Sequence, residues 1–547
     1  MRYRNARRLA GLSLALGILA TACSATASPT GEEATPVSGG TLTVALATQP
    51  GCMDSQVSQQ GVTNTINRNV LDSLVSQDGS GGYHPWLAAS WDISPDLTRY
   101  TFHLRHDVTF TDGTAFDAEA VKTNFARIVA PATRSQFAAG LLGPYAGTDV
   151  VDRYTVAVRF TKPFAPFLAA AATPNLGFYS PKALAERGGE LCGGGPAAVG
   201  TGPFTFTSFG KGQGAVLTRN PAYRWAPATA AHPGPAYLDE IDFRFLPEES
   251  VRVGTLTSGQ VDVALAVPPS NIATLRDTPS VRILQRDVPG SGYNLYLNTA
   301  IAPLDDQRVR NAVQRATDLD ADVRTVFFGQ YNRAWSPLSP STVGYDKAAE
   351  HSWPFDPGMA DHLLDSAGWT GRDGAGYRTR NGVRLTIDWP ALPADYTTNG
   401  NATLAQAVQA DLKQVGIELT RTPYDIGTYL RKIHAGQLAA ADAGWSATDP
   451  DLLRLFFNSA DDPAHGGQNV TRFDDPELDA WTSAAAATLD PARRSDLYRK
   501  VQARVLELGL VVPLYTPSTV VGTGSRVQGI GFDAAAQPAF FDAWVAG

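Results

Sequence analysis

The chain opens with alternating apolar and polar positions and shifts to a helical period in its later half. Tyr100, Phe102 and Leu104 alternate with Thr101, His103 and Arg105, which buries one face and wets the other, the pattern of a strand. After Val108 and Phe110, Asp112-Gly113 predicts a tight turn, and Asp117 predicts the cap of a helix running through Val121 and Phe125. The same alternation predicts strands over 39–47, 152–160 and 238–246. It also predicts a hairpin whose arms, 200–209 and 214–220, flank Gly210, Gly212 and Gly214. Farther on, Val309, Ala312, Val313 and Ala316 share one helical face. So do Ala360, Leu363, Leu364 and Ala367 ahead of Gly368, and Leu404, Val408 and Leu412 ahead of Gly416, each glycine serving as a stop. Asp490-Pro491 starts a helix with Leu497, Val501 and Val505 inside, and a strand at 511–515 follows. Interleaving of this kind predicts an α/β chain with several sheets.

Composition changes the picture in three ways. A chain of 547 residues exceeds one ordinary core, so two or three lobes are expected. A net charge of −8, with no basic stripe carrying interleaved aromatics, argues against nucleic acid as partner. The first residues read as a processing signal. Arg2, Arg4, Arg7 and Arg8 precede an apolar run from Leu9 to Ala20, too short to span a bilayer and fitting a secretory signal peptide over 1–22. Ala20-Thr21-Ala22-Cys23 resembles a bacterial lipobox, in which Cys23 carries lipid and becomes the mature N-terminus; cleavage without lipid is the alternative. Residues 23–38, rich in Ser, Thr, Ala, Pro and Gly, read as a flexible tether. No later segment is long and apolar enough to cross a membrane, so contact with the bilayer is expected through a lipid anchor only. Cys52 and Cys192 then remain, an even number in an oxidising compartment. A disulfide between them is expected, two buried thiols being the alternative.

Catalytic signatures are missing from the sequence. There is no HExxH, no GxSxG elbow and no GxxxxGK[ST] phosphate loop. Residues 210–215 depart from a dinucleotide fingerprint at Ala215. Residues 318–323 begin like a calcium loop, with Val323 where glycine is needed and Gly329 where the closing glutamate belongs. The eight histidines are scattered. These residues point to no enzyme, metal site or cofactor.

The stretch from His84 to Val121, "HPWLAASWDISPDLTRYTFHLRHDVTFTDGTAFDAEAV", resembles the signature of the extracytoplasmic solute-binding proteins of ATP-driven peptide importers, the oligopeptide/dipeptide/nickel-binding family. It departs at Ala120, where that family often has aspartate. Matches continue in order: "GTGPF" at 200, "LTSGQVDVA" at 256, "PLDDQRVRNAVQRATDLD" at 303, "LLDSAGW" at 363, "DLKQVGIEL" at 411, "AGWSATDPD" at 443 and "VVPLYTP" at 511. The resemblance implies a two-lobed clamp of the type II periplasmic-binding-protein kind with a small inserted domain. Lobe I would take 39–70, 173–288 and 516–547, the inserted domain 71–172 and lobe III 289–515. It also implies a monomer on the outer face of the cell membrane or in the periplasm, delivering a solute to the permease subunits of an ABC importer.

The resemblance also implies a site. The strand ending in Gly444-Trp445-Ser446 would pass beside the ligand and pair its backbone with a peptide as an added strand. Dipeptide binders hold the peptide amine with an aspartate three residues after this tryptophan. Here that place is Thr448, so Asp449 or Asp442 is expected to take the role. The arginine that grips a dipeptide's carboxylate would fall near 399–402, where none occurs. The remaining candidates are Gln56, Gln60, Tyr293, Trp335 and Asn399. This aromatic and polar set fits an oligopeptide held through its backbone. An oligosaccharide or glycoside, or a metal chelate, is the alternative ligand.

Overall fold

A computed structural model describes residues 35–393, 399–463 and 467–546. The signal peptide, Cys23, most of the tether and the Asn399 side chain lie outside the described residues.

The strand Thr41–Leu46 is the axis of the first lobe. Its alternation sends Leu42, Val44 and Leu46 to one face and Ala45 to the other, and both faces are buried. It pairs in parallel with Glu240–Phe245 on one side and Val263–Leu265 on the other. The full sheet has seven strands, in the order Val281–Asp287, Ser518–Gly524, Val263–Leu265, Thr41–Leu46, Glu240–Phe245, Gly214–Arg219 and Phe204–Gly210. The last two form the hairpin expected around Gly212. Cys52 and Cys192 are joined by a disulfide beside this sheet, with Cα atoms 4.2 Å apart.

The signature stretch builds a small separate core. Ala88–Ile93, Arg99–Leu104, Thr155–Phe160 and Tyr145–Asp152 form a four-stranded antiparallel sheet. Tyr100, Phe102, Phe125, Phe160 and Phe167 meet on it largely edge to face, with ring centroids 4.9–6.2 Å apart. Asp117 caps the helix Ala118–Val129 by accepting from the Ala120 amide at 3.2 Å. Asp112 turns the chain at Gly113 and accepts from the Ser180 hydroxyl at 2.7 Å, which ties this core to the first lobe. The stretch is therefore scaffold.

The second lobe is centred on the sheet Asn332–Arg333, Val511–Thr516, Tyr293–Leu297 and Ala440–Ala443, in that order. Among its helices, Gln307–Ala316, Leu319–Val326, Pro357–Ser366 and Asn399–Gln414 share one apolar core. Leu452–Phe457, Pro476–Ala486 and Pro491–Glu507 share another. The apolar stripe that begins at Val309 is broken at Thr317, because Asp318 caps a new helix through the Ala321 amide.

Two connections join the lobes. The chain leaves the seven-stranded sheet at Asp287 and enters the four-stranded one at Tyr293; it returns between Thr516 and Ser518. The connections run side by side, with the Val288 amide donating to the Pro517 carbonyl at 2.9 Å.

Candidate functional site

A cavity of about 750 Å³ lies between the lobes and takes walls from all three cores, a size usual for small-ligand sites. The first lobe contributes Gln60, Arg68 and Gln537, and the small core contributes Phe137, Leu141 and Phe164. The second lobe contributes Tyr293, the end of the strand Ala440–Ala443, and the helix Ile426–His434.

Tyr293, Asp442, Trp445, Ser446, Asp449 and Gln60 all line this cavity. The Tyr293 hydroxyl donates to Asp442 Oδ2 at 2.6 Å, and the Trp389 indole N–H donates to Oδ1 at 2.9 Å. Burial first, then the charge of Asp442, push the Tyr293 hydroxyl well above its ordinary range, so it remains a donor. Its ring stacks on Tyr515 at 5.1 Å. Trp445 leans on Phe456, ring centroids 4.8 Å apart. Its main chain is already engaged: the amide donates to Ser291 Oγ at 2.8 Å and the carbonyl accepts from the Ser291 amide at 2.9 Å. Gly290 lies against it with φ +112°, and a Cβ there would overlap the Trp445 carbonyl oxygen. The Ser446 hydroxyl crosses the cleft to the Ala535 carbonyl of the first lobe, 2.7 Å away. Gln60 accepts from the Gly51 amide at 2.7 Å.

Three expectations are corrected. Gln56 is fully buried away from the cavity. Its amide nitrogen donates to Asn124 Oδ1 and the Gly177 carbonyl, and its oxygen accepts from Arg127. It is a packing amide, used up by backbone and side chains of its own core. Trp335 is 9% exposed and also lies off the cavity. The Arg333 guanidinium covers its ring at 3.4 Å and Trp353 meets it at 5.7 Å. Asp449 reaches the cavity wall without a free charge. Arg494 grips both its oxygens, at 2.7 and 2.6 Å, with the two side chains only 13% and 16% exposed. Burial opposes the charge on Arg494, but Asp449 and its neighbours more than offset this and hold its proton affinity well above normal.

The backbone edge lies upstream of the tryptophan. Ala440–Ala443 is the outer strand of its sheet, with no partner strand on the cavity side among the described residues. The Asn298 amide donates to the Ala439 carbonyl. The antiparallel ladder therefore turns the main chain of Ala439, Ala441 and Ala443 inward and that of Ala440 and Asp442 to the open edge. The apolar helix wall went unread in the sequence, although Ile426, Leu430 and Ile433 recur at helical spacing behind the cap Asp425. Trp389, which fixes Asp442 from 53 residues away, left no local signal.

Comparison with known proteins agrees with this geometry. Residues 82–464 match the family model described as bacterial extracellular solute-binding proteins, family 5 middle. The chain is 27% identical to heme-binding protein A of Haemophilus influenzae, with 98% of each chain covered. It is 30% identical to di/tripeptide-binding protein 4 of Pseudomonas aeruginosa, with 88% of each covered. Its fold superposes with a TM-score of 0.79 on the ABC transporter-associated periplasmic binding protein DppA of Helicobacter pylori, in complex with the peptide STSA. That structure is 26% identical, with 93% of this chain and 99% of that one covered.

Proposed function

Because the chain belongs to the bacterial extracellular solute-binding proteins of family 5, we propose that it captures an oligopeptide between its lobes and presents it to the permease of an ABC importer. The observation that carries this reading is the open edge at Ala440 and Asp442, which faces the cavity and offers a peptide main chain its hydrogen bonds. The relatives named for di- and tripeptides, and the one bound to STSA, support it.

The mechanism is closure about the paired connections at Val288 and Pro517. A ligand that touches both lobes binds the closed form better and shifts the population toward it. Moving that balance from 1:99 to 99:1 takes about 5.5 kcal/mol of differential affinity. A micromolar ligand supplies about 8 kcal/mol in all, so such a switch is within reach. Capture and release involve no covalent step. We assign 39–70, 173–288 and 516–547 to lobe I, 71–172 to the inserted domain and 289–515 to lobe III. The protein acts as a monomer outside the cytoplasm, held to the membrane by lipid on Cys23. Among the described residues, no helix is long and apolar enough to cross a membrane.

The test is to hold purified protein with mixed peptides of two to nine residues, then record native mass spectra and small-angle scattering. Retained peptide with a smaller radius of gyration is expected. A protein that retains no peptide and does not contract is not a peptide receptor.

A further inference from the structure

We infer that the part of the ligand enclosed by the cleft carries no charge: the site takes the main chain and apolar side chains of a peptide and leaves both its termini outside. This deepens the peptide reading and rests on it.

Each buried charge on the cavity wall is already answered from within the protein. Asp442 accepts from Tyr293 and Trp389, and Asp449 is gripped through both oxygens by Arg494. Asp451 accepts from the Tyr498 hydroxyl at 2.8 Å and pairs with Arg454 at 2.9 Å, and Arg454 also holds Asp461 at 2.7 Å. Asp533 accepts from the amides of Ala535 and Gln537 at 2.9 and 2.8 Å. Arg68 gives one terminal nitrogen to Ser73 Oγ and the other to the Ala172 carbonyl, at 2.9 and 2.6 Å, with its guanidinium over the Trp86 ring. Burial lowers the proton affinity of Arg68, with Asp533 and Asp72 the nearest opposing charges. The remaining ionisable cations on the wall, Arg134 and His434, are solvent-exposed.

A terminal ammonium or carboxylate brought into this cavity would lose its water and meet no open counter-charge, which is costly. The wall instead offers apolar contact from two sides: Leu430 and Ile433 on one, and Phe137, Leu141, Trp445 and Leu455 on the other. Main-chain amides have the open edge at Ala440 and Asp442 to bind. The cleft thus recognises an uncharged apolar segment, and recognises it in the middle of a chain.

Calorimetric titration of the full protein with Val-Leu-Ala-Val-Leu, with the same peptide acetylated and amidated, and with versions carrying Glu or Lys at the centre tests this directly. Capping both ends should change the dissociation constant by less than about threefold, and a central charge should raise it by roughly thirtyfold or more. Loss of binding on capping, or charged peptides bound as tightly as apolar ones, would overturn the inference and leave peptide capture standing. If none of the four peptides binds, the peptide reading itself falls, and this inference with it.

Discussion

Asp449 and Arg494 meet fork to fork, Oδ2 to Nη1 at 2.7 Å and Oδ1 to Nη2 at 2.6 Å, at the edge of the cleft. Because both partners are largely buried, removing one charge strands the other. Asp449→Asn should lower unfolding free energy by about 3 kcal/mol or more, measured by urea titration, while peptide affinity stays within about threefold of the parent. Weaker peptide binding at unchanged stability would show that Asp449 serves the ligand after all.

Trp445 offers the ligand only its ring, since Ser291 holds both of its main-chain groups. Trp445→Ala should weaken peptide binding by about 2 kcal/mol, as for a buried aromatic anchor, with a single cooperative melt retained. Unaltered affinity would place the ligand elsewhere in the cavity.

The Cys52–Cys192 bond closes a loop with a sequence separation of 140. Cutting it should cost about 2–4 kcal/mol, mostly by freeing the unfolded chain. Denaturation of the oxidised protein and of the Cys52→Ser/Cys192→Ser double variant checks this, and equal midpoints would refute it.

Asp72 is fully buried among Thr201, Trp225 and Tyr223. Burial pushes its carboxyl up to about 7, against the pull of those donors and of Arg68. The folded state thus holds this proton more tightly than the unfolded chain, whose carboxyl titrates near 3.8. The resulting stability is complete below pH ~4 and is lost as pH rises through ~7, on the order of 4 kcal/mol. Asp72→Asn should flatten that part of the stability–pH curve; an unchanged slope would assign it to other groups.

Cys23→Ala should release the protein from the membrane fraction of expressing cells without altering peptide affinity, because the tether precedes the first strand at Thr41. Membrane retention of the variant would rule out the lipid anchor.

The sequence was most informative where structure is local. Period-two runs became the strands of both large sheets, and aspartates ahead of apolar stripes became caps at Asp117, Asp356 and Asp490. Side-chain destinations were harder to read. Gln56 sits in a polar loop whose sequence permits exposure, and only Asn124 and Arg127, some 70 residues on, draw it inside. Asp449 has the same local chemistry whether it faces solvent, a ligand or an arginine. Its partner is set by how the helix Pro491–Glu507 docks. Trp335 would suit a stacking platform until Arg333 occupies its face. Long-range packing decides each of these, and one chain carries little trace of it.

The seven-stranded sheet also fixes an order of events during synthesis. Ser518–Gly524, near the C-terminal end of the sequence, sits inside that sheet between Val281–Asp287 and Val263–Leu265. The ribosome makes it last among the seven, and until it emerges the strands on either side of it have unpaired edges. The first lobe therefore completes only after nearly the whole chain has been made, and contacts of such long sequence separation form slowly. A nascent chain with this topology stays open for much of its synthesis, the condition in which a polypeptide can be threaded through a membrane before it locks.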